Sequence, residues 1–194
     1  MQSAPPRDLW VFGYGSLMWR PGFAYVDRRL ALLRGWRRRL CVYSHVYRGT
    51  AERPGLVLGL DRGGACHGVA FRVEAALSEA TVRYLREREL VTAVYLERRA
   101  PVTLDDGRRV SALTYLADRA HGQYAGPMPR EALLELVKQG FGRSGSNAEY
   151  VLNTRDHLRG LDRRFWALAP AGVDDCRRLD ARIESGRDEQ GARA

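Results

Sequence analysis

The order of its elements constrains this chain most. Between residues 9 and 117 the apolar residues fall into short runs with a strand-like period, and that period turns helical only once. The runs are Leu9–Phe12, Leu30–Leu33, Arg39–His45, Leu56–Leu60, Ala65–Val73, Thr92–Arg99 and Arg109–Ala117. Asp61-Arg62-Gly63-Gly64 and Asp105-Asp106-Gly107 read as hairpin turns. The helical interruption starts at Ser78, a candidate cap, and ends near Leu90. Three helices follow: one opened by Pro129 and stopped at Gly140, one capped by Ser146 or Asn147 and ended by Gly160, and one over about Val173–Glu184. A doubly wound fold would alternate strand and helix. This order predicts an α+β fold, a small and mostly antiparallel β-barrel with flanking helices. No repeat or linker interrupts it, so the reading is one domain over residues 8–186 with flexible ends at 1–7 and 187–194.

Within that order two places carry chemistry. The first strand breaks at Gly13-Tyr14-Gly15-Ser16. Glycines on either side of a tyrosine permit angles other residues resist and leave no Cβ between the main chain and a bound group. Successive N–H groups in such a turn can hold a carboxylate or a carbonyl oxygen; an ordinary tight turn is the plainer alternative. The second place is the interrupting helix. Val82, Leu85 and Glu89 share one face, and Glu87 points away from it. A carboxylate on the buried side of an amphipathic helix is an anomaly. Desolvation raises its pKa toward the range where one group can accept and then donate a proton. A salt bridge to Arg86, or to an arginine elsewhere, is the alternative use of Glu89.

Composition narrows the function classes. No apolar run approaches the ~20 residues of a membrane helix, and the leading MQSAPPRD lacks the regions of a signal peptide. The expectation is a cytoplasmic protein without a membrane partner. Cys41, Cys66 and Cys176 are an odd number, which argues against disulfides. Cys41 and Cys66 lie in predicted strands, and Cys66 and His67 point to opposite faces, so a cysteine nucleophile is the weaker enzyme reading. The histidines and cysteines do not pair at metal-ligand spacing, and no phosphate loop or dinucleotide fingerprint is present. A net charge of +9 invites a nucleic-acid partner. The basic residues are nearly all arginine, Lys138 being the single lysine, and they are scattered along the chain. Small anionic metabolites fit better, and no nucleic-acid partner is expected.

Read in order, Trp10–Arg20 (WVFGYGSLMWR), Gly35–Leu40 (GWRRRL), Tyr47–Leu60 (YRGTAERPGLVLGL), Gly68–Arg72 (GVAFR), Tyr84–Glu89 (YLRERE) with Tyr95, Tyr124-Ala125-Gly126 and Ser144–Asn153 (SGSNAEYVLN) resemble the ChaC family of glutathione-specific gamma-glutamylcyclotransferases. The resemblance covers about residues 9–160 and looks like the family's bacterial branch. It implies a small β-barrel and cleavage of glutathione to 5-oxoproline and cysteinylglycine without a metal or organic cofactor. It places the substrate loop on Val11, Phe12, Gly13, Tyr14, Gly15 and Ser16, with Leu17 beside it, and the catalytic glutamate on Glu89. The eukaryotic branch has a shorter, glycine-rich join between Glu89 and Tyr95, which makes a role for Tyr95 the less secure one. Arg38 or Arg48 is a candidate partner for a substrate carboxylate, by two parallel hydrogen bonds, with surface solvation as the alternative. Tyr124 and Tyr150 either line the site or pack. Cyclotransfer on other gamma-glutamyl amines or dipeptides, and a non-catalytic binding module that keeps the pocket, are the competing functions.

Overall fold

A computed structural model describes residues 7–160. The predicted helix over 173–184, Cys176 and the end at 187–194 lie outside the described residues. Five strands, β1 (Leu9–Gly13), β2 (Asp27–Ser44), β3 (Gly55–Val73), β4 (Tyr95–Leu104) and β5 (Arg109–Ala117), close a barrel in the order β1-β3-β2-β4-β5. The β1–β3, β2–β4 and β4–β5 pairs are antiparallel, and one parallel pairing, β1 with β5, completes the ring. Closure removes the exposed edges that so short a first strand would otherwise leave. Helix α1 (Ser78–Glu89) separates β3 from β4; α2 (Arg130–Gln139), a two-residue hairpin pair β6 (Phe141–Gly142) and β7 (Gly145–Ser146), and α3 (Asn147–Gly160) follow β5.

The predicted strand Thr92–Arg99 is displaced to Tyr95–Leu104, and two pairs of predicted strands are each fused into one, for a single reason. The predicted strands Leu30–Leu33 and Arg39–His45 are a single 18-residue β2, and Leu56–Leu60 and Ala65–Val73 are a single 19-residue β3. Gly35 (φ +84°) lies inside β2, and Gly63 and Gly64 (φ +95° and +71°) lie inside β3. Gly64 stands beside Arg37 of β2, so the bends of the two strands face each other. Positive-φ glycines let a long strand coil around a barrel without losing its pairing. Asp61–Gly64 is therefore a bend within a strand and not a hairpin turn. At Asp105–Gly107 the hairpin is real, with Gly107 at φ +86°.

The described residues cluster into two compact units. The first holds residues 7–38 and 59–121. Its core includes Leu9, Val11, Leu17, Val73, Leu85, Leu113 and Tyr115, with Phe23, Val82, Tyr84, Leu90 and Tyr95 packed against it. Side chains of the β1 loop, of α1 and of β5 thus share one apolar cluster. The second unit holds residues 39–58 and 122–160. There Tyr43 N–H donates to Gln123 O at 2.8 Å and Ala125 N–H to Cys41 O at 2.8 Å, with a bridge between Val42 and Tyr124. Ser146 caps α3 by accepting from Glu149 N–H at 3.1 Å. Asn147, fully buried, is used differently. Its side chain accepts from Leu56 N–H at 2.6 Å and donates to Leu56 O at 2.7 Å.

Candidate active site

In the first unit, β1 ends in Gly13, and Ser16–Met18 form one 3-10 turn. The turn's own hydrogen bonds begin with Met18 N–H to Gly15 O at 2.9 Å, so they do not use the N–H groups of Ser16 and Leu17. Neither Gly13 nor Gly15 takes a positive φ. What Gly13 supplies is room, because a Cβ there would come within 2.9 Å of the Leu17 Cβ. Behind the loop stands Gly68 of β3, where a Cβ would lie 2.5 Å from Phe12 Cζ and nearer still to Gly13 O. Val11, Phe12, Tyr14 and Leu17 are buried. These side chains anchor the loop, and its main chain is the part that can meet a ligand.

Arg38 is buried and spent on this loop and on β3. Its Nε donates to Tyr14 O and its Nη2 to His67 O at 2.6 Å, with Met18 Sδ at 3.8 Å. A buried guanidinium held by backbone carbonyls is a brace. Burial and the positive charges of Arg38 and Arg34 push the neighbouring His67 imidazole below its ordinary pKa, which favours the neutral ring. Burial pushes the Cys66 thiol up, so it stays protonated, as a core cysteine does.

Glu89 closes α1. Leu85 on the same face is fully buried and Val82 packs on the core, as the periodicity predicts, while Glu87 is exposed. The Glu89 side chain keeps one fifth of its surface exposed, and its Oε1 lies 3.1 Å from Arg88 Nε. Burial pushes the carboxyl above its ordinary pKa, and the Arg88 charge pulls part of the way back. Of the alternative salt bridges, to Arg86 or to another arginine, the structure shows the second, with Arg88; Arg86 binds Glu97 of β4 through Nε at 2.9 Å and Nη2 at 2.8 Å. That fork holds Glu97 below the usual carboxylate pKa. Tyr115, paired opposite Glu97 across β4–β5, donates its hydroxyl to Glu97 Oε2 at 3.3 Å. Burial and the charges of Glu97 and Glu89 hold the Tyr115 phenol far above its ordinary pKa, as a neutral donor.

The sequence reading missed Arg88. Its Nη2 donates to Ser16 Oγ at 2.9 Å, and its Nη1 to Arg20 O at 2.7 Å, Pro21 O at 3.3 Å and Tyr84 Oη at 3.0 Å. The only signal in the sequence was Tyr84, four residues earlier on the same helical face. Tyr95 packs on the cluster that contains Leu17 and Leu85.

The remaining candidates lie in the second unit. Arg48 Nη1 donates to Ser146 O at 3.2 Å, and its guanidinium stands 5.2 Å over the Tyr150 ring. The Tyr150 hydroxyl accepts from Leu58 N–H at 3.3 Å. Tyr124 bridges to Val42. Among the described residues, no cluster of three or more His, Cys, Asp or Glu could hold a metal ion, and no helix is long and apolar enough to cross a membrane.

Fold and site together define a small closed barrel whose largely buried carboxylate, Glu89, is joined through Arg88 to a glycine loop. The chain belongs to the ChaC-like protein family, whose model matches residues 9–167. It is 35% identical over 150 residues to the Escherichia coli glutathione-specific gamma-glutamylcyclotransferase, a match covering 77% of this chain and 65% of that protein. It is 37% identical over 158 residues to the human glutathione-specific gamma-glutamylcyclotransferase 1, covering 79% of this chain and 71% of the relative. A solved gamma-glutamylcyclotransferase specific to glutathione from yeast superposes with a TM-score of 0.76 at 20% identity, over 90% of this chain and 98% of that one, which bears on the fold alone.

Proposed function

We propose that the protein is a glutathione-specific gamma-glutamylcyclotransferase. The observation that carries the reading is Glu89: a carboxyl pushed up by burial, one guanidinium away from the glycine loop. The reaction is an internal displacement. The substrate's α-nitrogen bonds to its own γ-carbonyl carbon, and the γ-amide C–N bond breaks, giving 5-oxoproline and cysteinylglycine. The α-nitrogen passes from ammonium to lactam N–H, and the two protons it loses balance the two gained by the leaving nitrogen.

No enzyme nucleophile is needed, in keeping with protonated, buried Cys66. Folding the extended gamma-glutamyl chain onto itself supplies positioning, worth up to about 7–11 kcal/mol in ideal intramolecular cases. Glu89 takes a proton from the α-ammonium and returns one to the leaving nitrogen, a contribution typically worth about 10²–10⁴-fold. A raised pKa suits it, since a carboxyl of ordinary acidity would be a poor acid toward that nitrogen. Loop N–H groups at Tyr14, Gly15 and Ser16 take the oxyanion or the α-carboxylate. Arg38 supports them by bracing the Tyr14 carbonyl.

The test is incubation of purified, chelator-treated protein with glutathione, following both products by mass spectrometry. The reading expects stoichiometric cysteinylglycine and 5-oxoproline, and neither from a folded Glu89→Gln variant. Turnover of other gamma-glutamyl amines with none of glutathione would replace the substrate. No turnover of any would leave a binding module.

A further inference from the structure

We infer that Arg88 is the positioning residue of this site: its one guanidinium fixes the Glu89 carboxylate and the substrate loop in a single frame. The inference rests on the cyclotransferase reading and deepens it. Helix α1 and the β1 loop are far apart in sequence and meet in one apolar cluster through Leu85 and Leu17, with Arg38 bracing the loop. The apolar cluster holds them near one another but cannot set the angle between a carboxylate and a row of N–H groups. Hydrogen bonds can, and Arg88 carries several of them from the helix to the loop. Nε lies 3.1 Å from Glu89 Oε1, Nη2 donates to Ser16 Oγ, and Nη1 donates to the carbonyls of Arg20 and Pro21, where the loop leaves its turn. Tyr84 Oη, one helical turn back, holds the same Nη1 from below at 3.0 Å. A planar fork reaches all these acceptors at once, the two N–H groups of Nη1 being shared among three oxygens, whereas a lysine ammonium is a point charge that cannot span them.

The same contact tunes the base. The charged and titratable groups around Glu89 are Arg88 on its own helix and Tyr115 on β5, with Glu97 of β4 and Arg86 behind Tyr115. Arg88 is the nearest cation and opposes the effect of burial. Without it the carboxyl would hold its proton to higher pH and start the cycle in the wrong state more often.

The test compares Arg88→Gln and Arg88→Lys with wild type and with Arg83→Gln, which removes an exposed arginine from the same helix. Folding is checked by thermal melting. Turnover of glutathione gives kcat, KM and the acid limb of kcat/KM. Carbon-13 titration of the Glu89 carboxyl in the ligand-free protein gives a readout that needs no turnover. For Arg88→Gln the expectation is a loss of about 100-fold in kcat, the scale of a 1 Å misplacement, with the acid limb and the Glu89 titration both moved to higher pH. Arg88→Lys keeps the charge, so its titration stays near wild type while kcat still falls. Arg83→Gln changes neither. A merely structural arginine would lower the melting temperature without moving the titration. Wild-type turnover with unmoved titration and near-normal kcat in both Arg88 variants overturns the inference and leaves the activity standing. An inactive wild type whose Glu89 titration shifts in Arg88→Gln overturns the activity and supports the positioning.

Discussion

Gly68 is the position from which the loop can be moved without touching any group that meets substrate. Its backbone needs no positive φ, so alanine there is free of conformational strain and the whole effect is steric. The added methyl would stand 2.5 Å from Phe12 Cζ, 2.7 Å from Phe12 Cε2 and closer still to Gly13 O. Ordinary contact begins about 1 Å further out. Phe12 is buried and cannot swing away, so the shift falls on β1 and the Gly13–Ser16 loop that continues it. Overpacking of this size costs about 1–3 kcal/mol, which for a chain of this length is a fall of roughly 2–12 °C in Tm. A loop displaced by about 1 Å should lose on the order of 100-fold in kcat/KM. Glutathione turnover at several concentrations and a thermal melt measure both. A Gly68→Ala protein with unchanged Tm and full kcat/KM would refute the reasoning, because the loop would not be fixed by the strand behind it.

Three other outcomes follow from named contacts. Glu89→Gln should melt at a higher temperature than wild type at pH 7 while losing turnover: a carboxyl whose folded pKa is raised stabilises the fold below its unfolded pKa, and that contribution is lost as pH rises through the folded value. The gain in Tm should therefore shrink as the pH is lowered toward 4, and a lower Tm for the variant at pH 7 would contradict the assignment. Ala93, in the turn after α1, holds φ +57°; Ala93→Gly relieves a left-handed cost of roughly 1–2 kcal/mol against about 0.4–1 kcal/mol of added unfolded-state entropy, so Tm should rise slightly, and a fall would show that the turn is not strained. Asn147→Ala strands the buried N–H and C=O of Leu56 and should cost about 2–5 kcal/mol in denaturant unfolding; a loss below about 1 kcal/mol would mean that water or a shifted backbone replaces the side chain.

What could be read from the sequence was what local periodicity encodes. Val82, Leu85 and Glu89 recur on one helical face, and that recurrence alone marks Glu89. The Asp105–Gly107 hairpin was legible because its turn lies between two runs that pair with each other. Gly63-Gly64 carries the same local signal but serves another purpose, a bend in one 19-residue strand. Whether two glycines reverse a chain or coil it depends on barrel closure, which is set by residues far away in sequence. Partner choice among arginines was illegible for the same reason. Arg86 and Arg88 are two residues apart on one helix, yet the first reaches Glu97 and the second Glu89 and Ser16. Arg38, a candidate for a substrate carboxylate, is turned to the Tyr14 carbonyl of the loop and the His67 carbonyl of β3 by a position on β2 that only the barrel defines. Ala93, in the join after Glu89, takes a left-handed angle, an alanine where glycine would rest more easily.

The most direct test of the central claim is the fate of oxygen during turnover. Glutathione is incubated with the protein in water enriched in oxygen-18, and the released acidic product is weighed by mass spectrometry. Internal attack by the α-amine predicts 5-oxoproline with no heavy oxygen, formed one for one with cysteinylglycine. Free glutamate carrying one heavy oxygen in its side-chain carboxyl would mean that water attacks the γ-carbonyl, and would contradict the account.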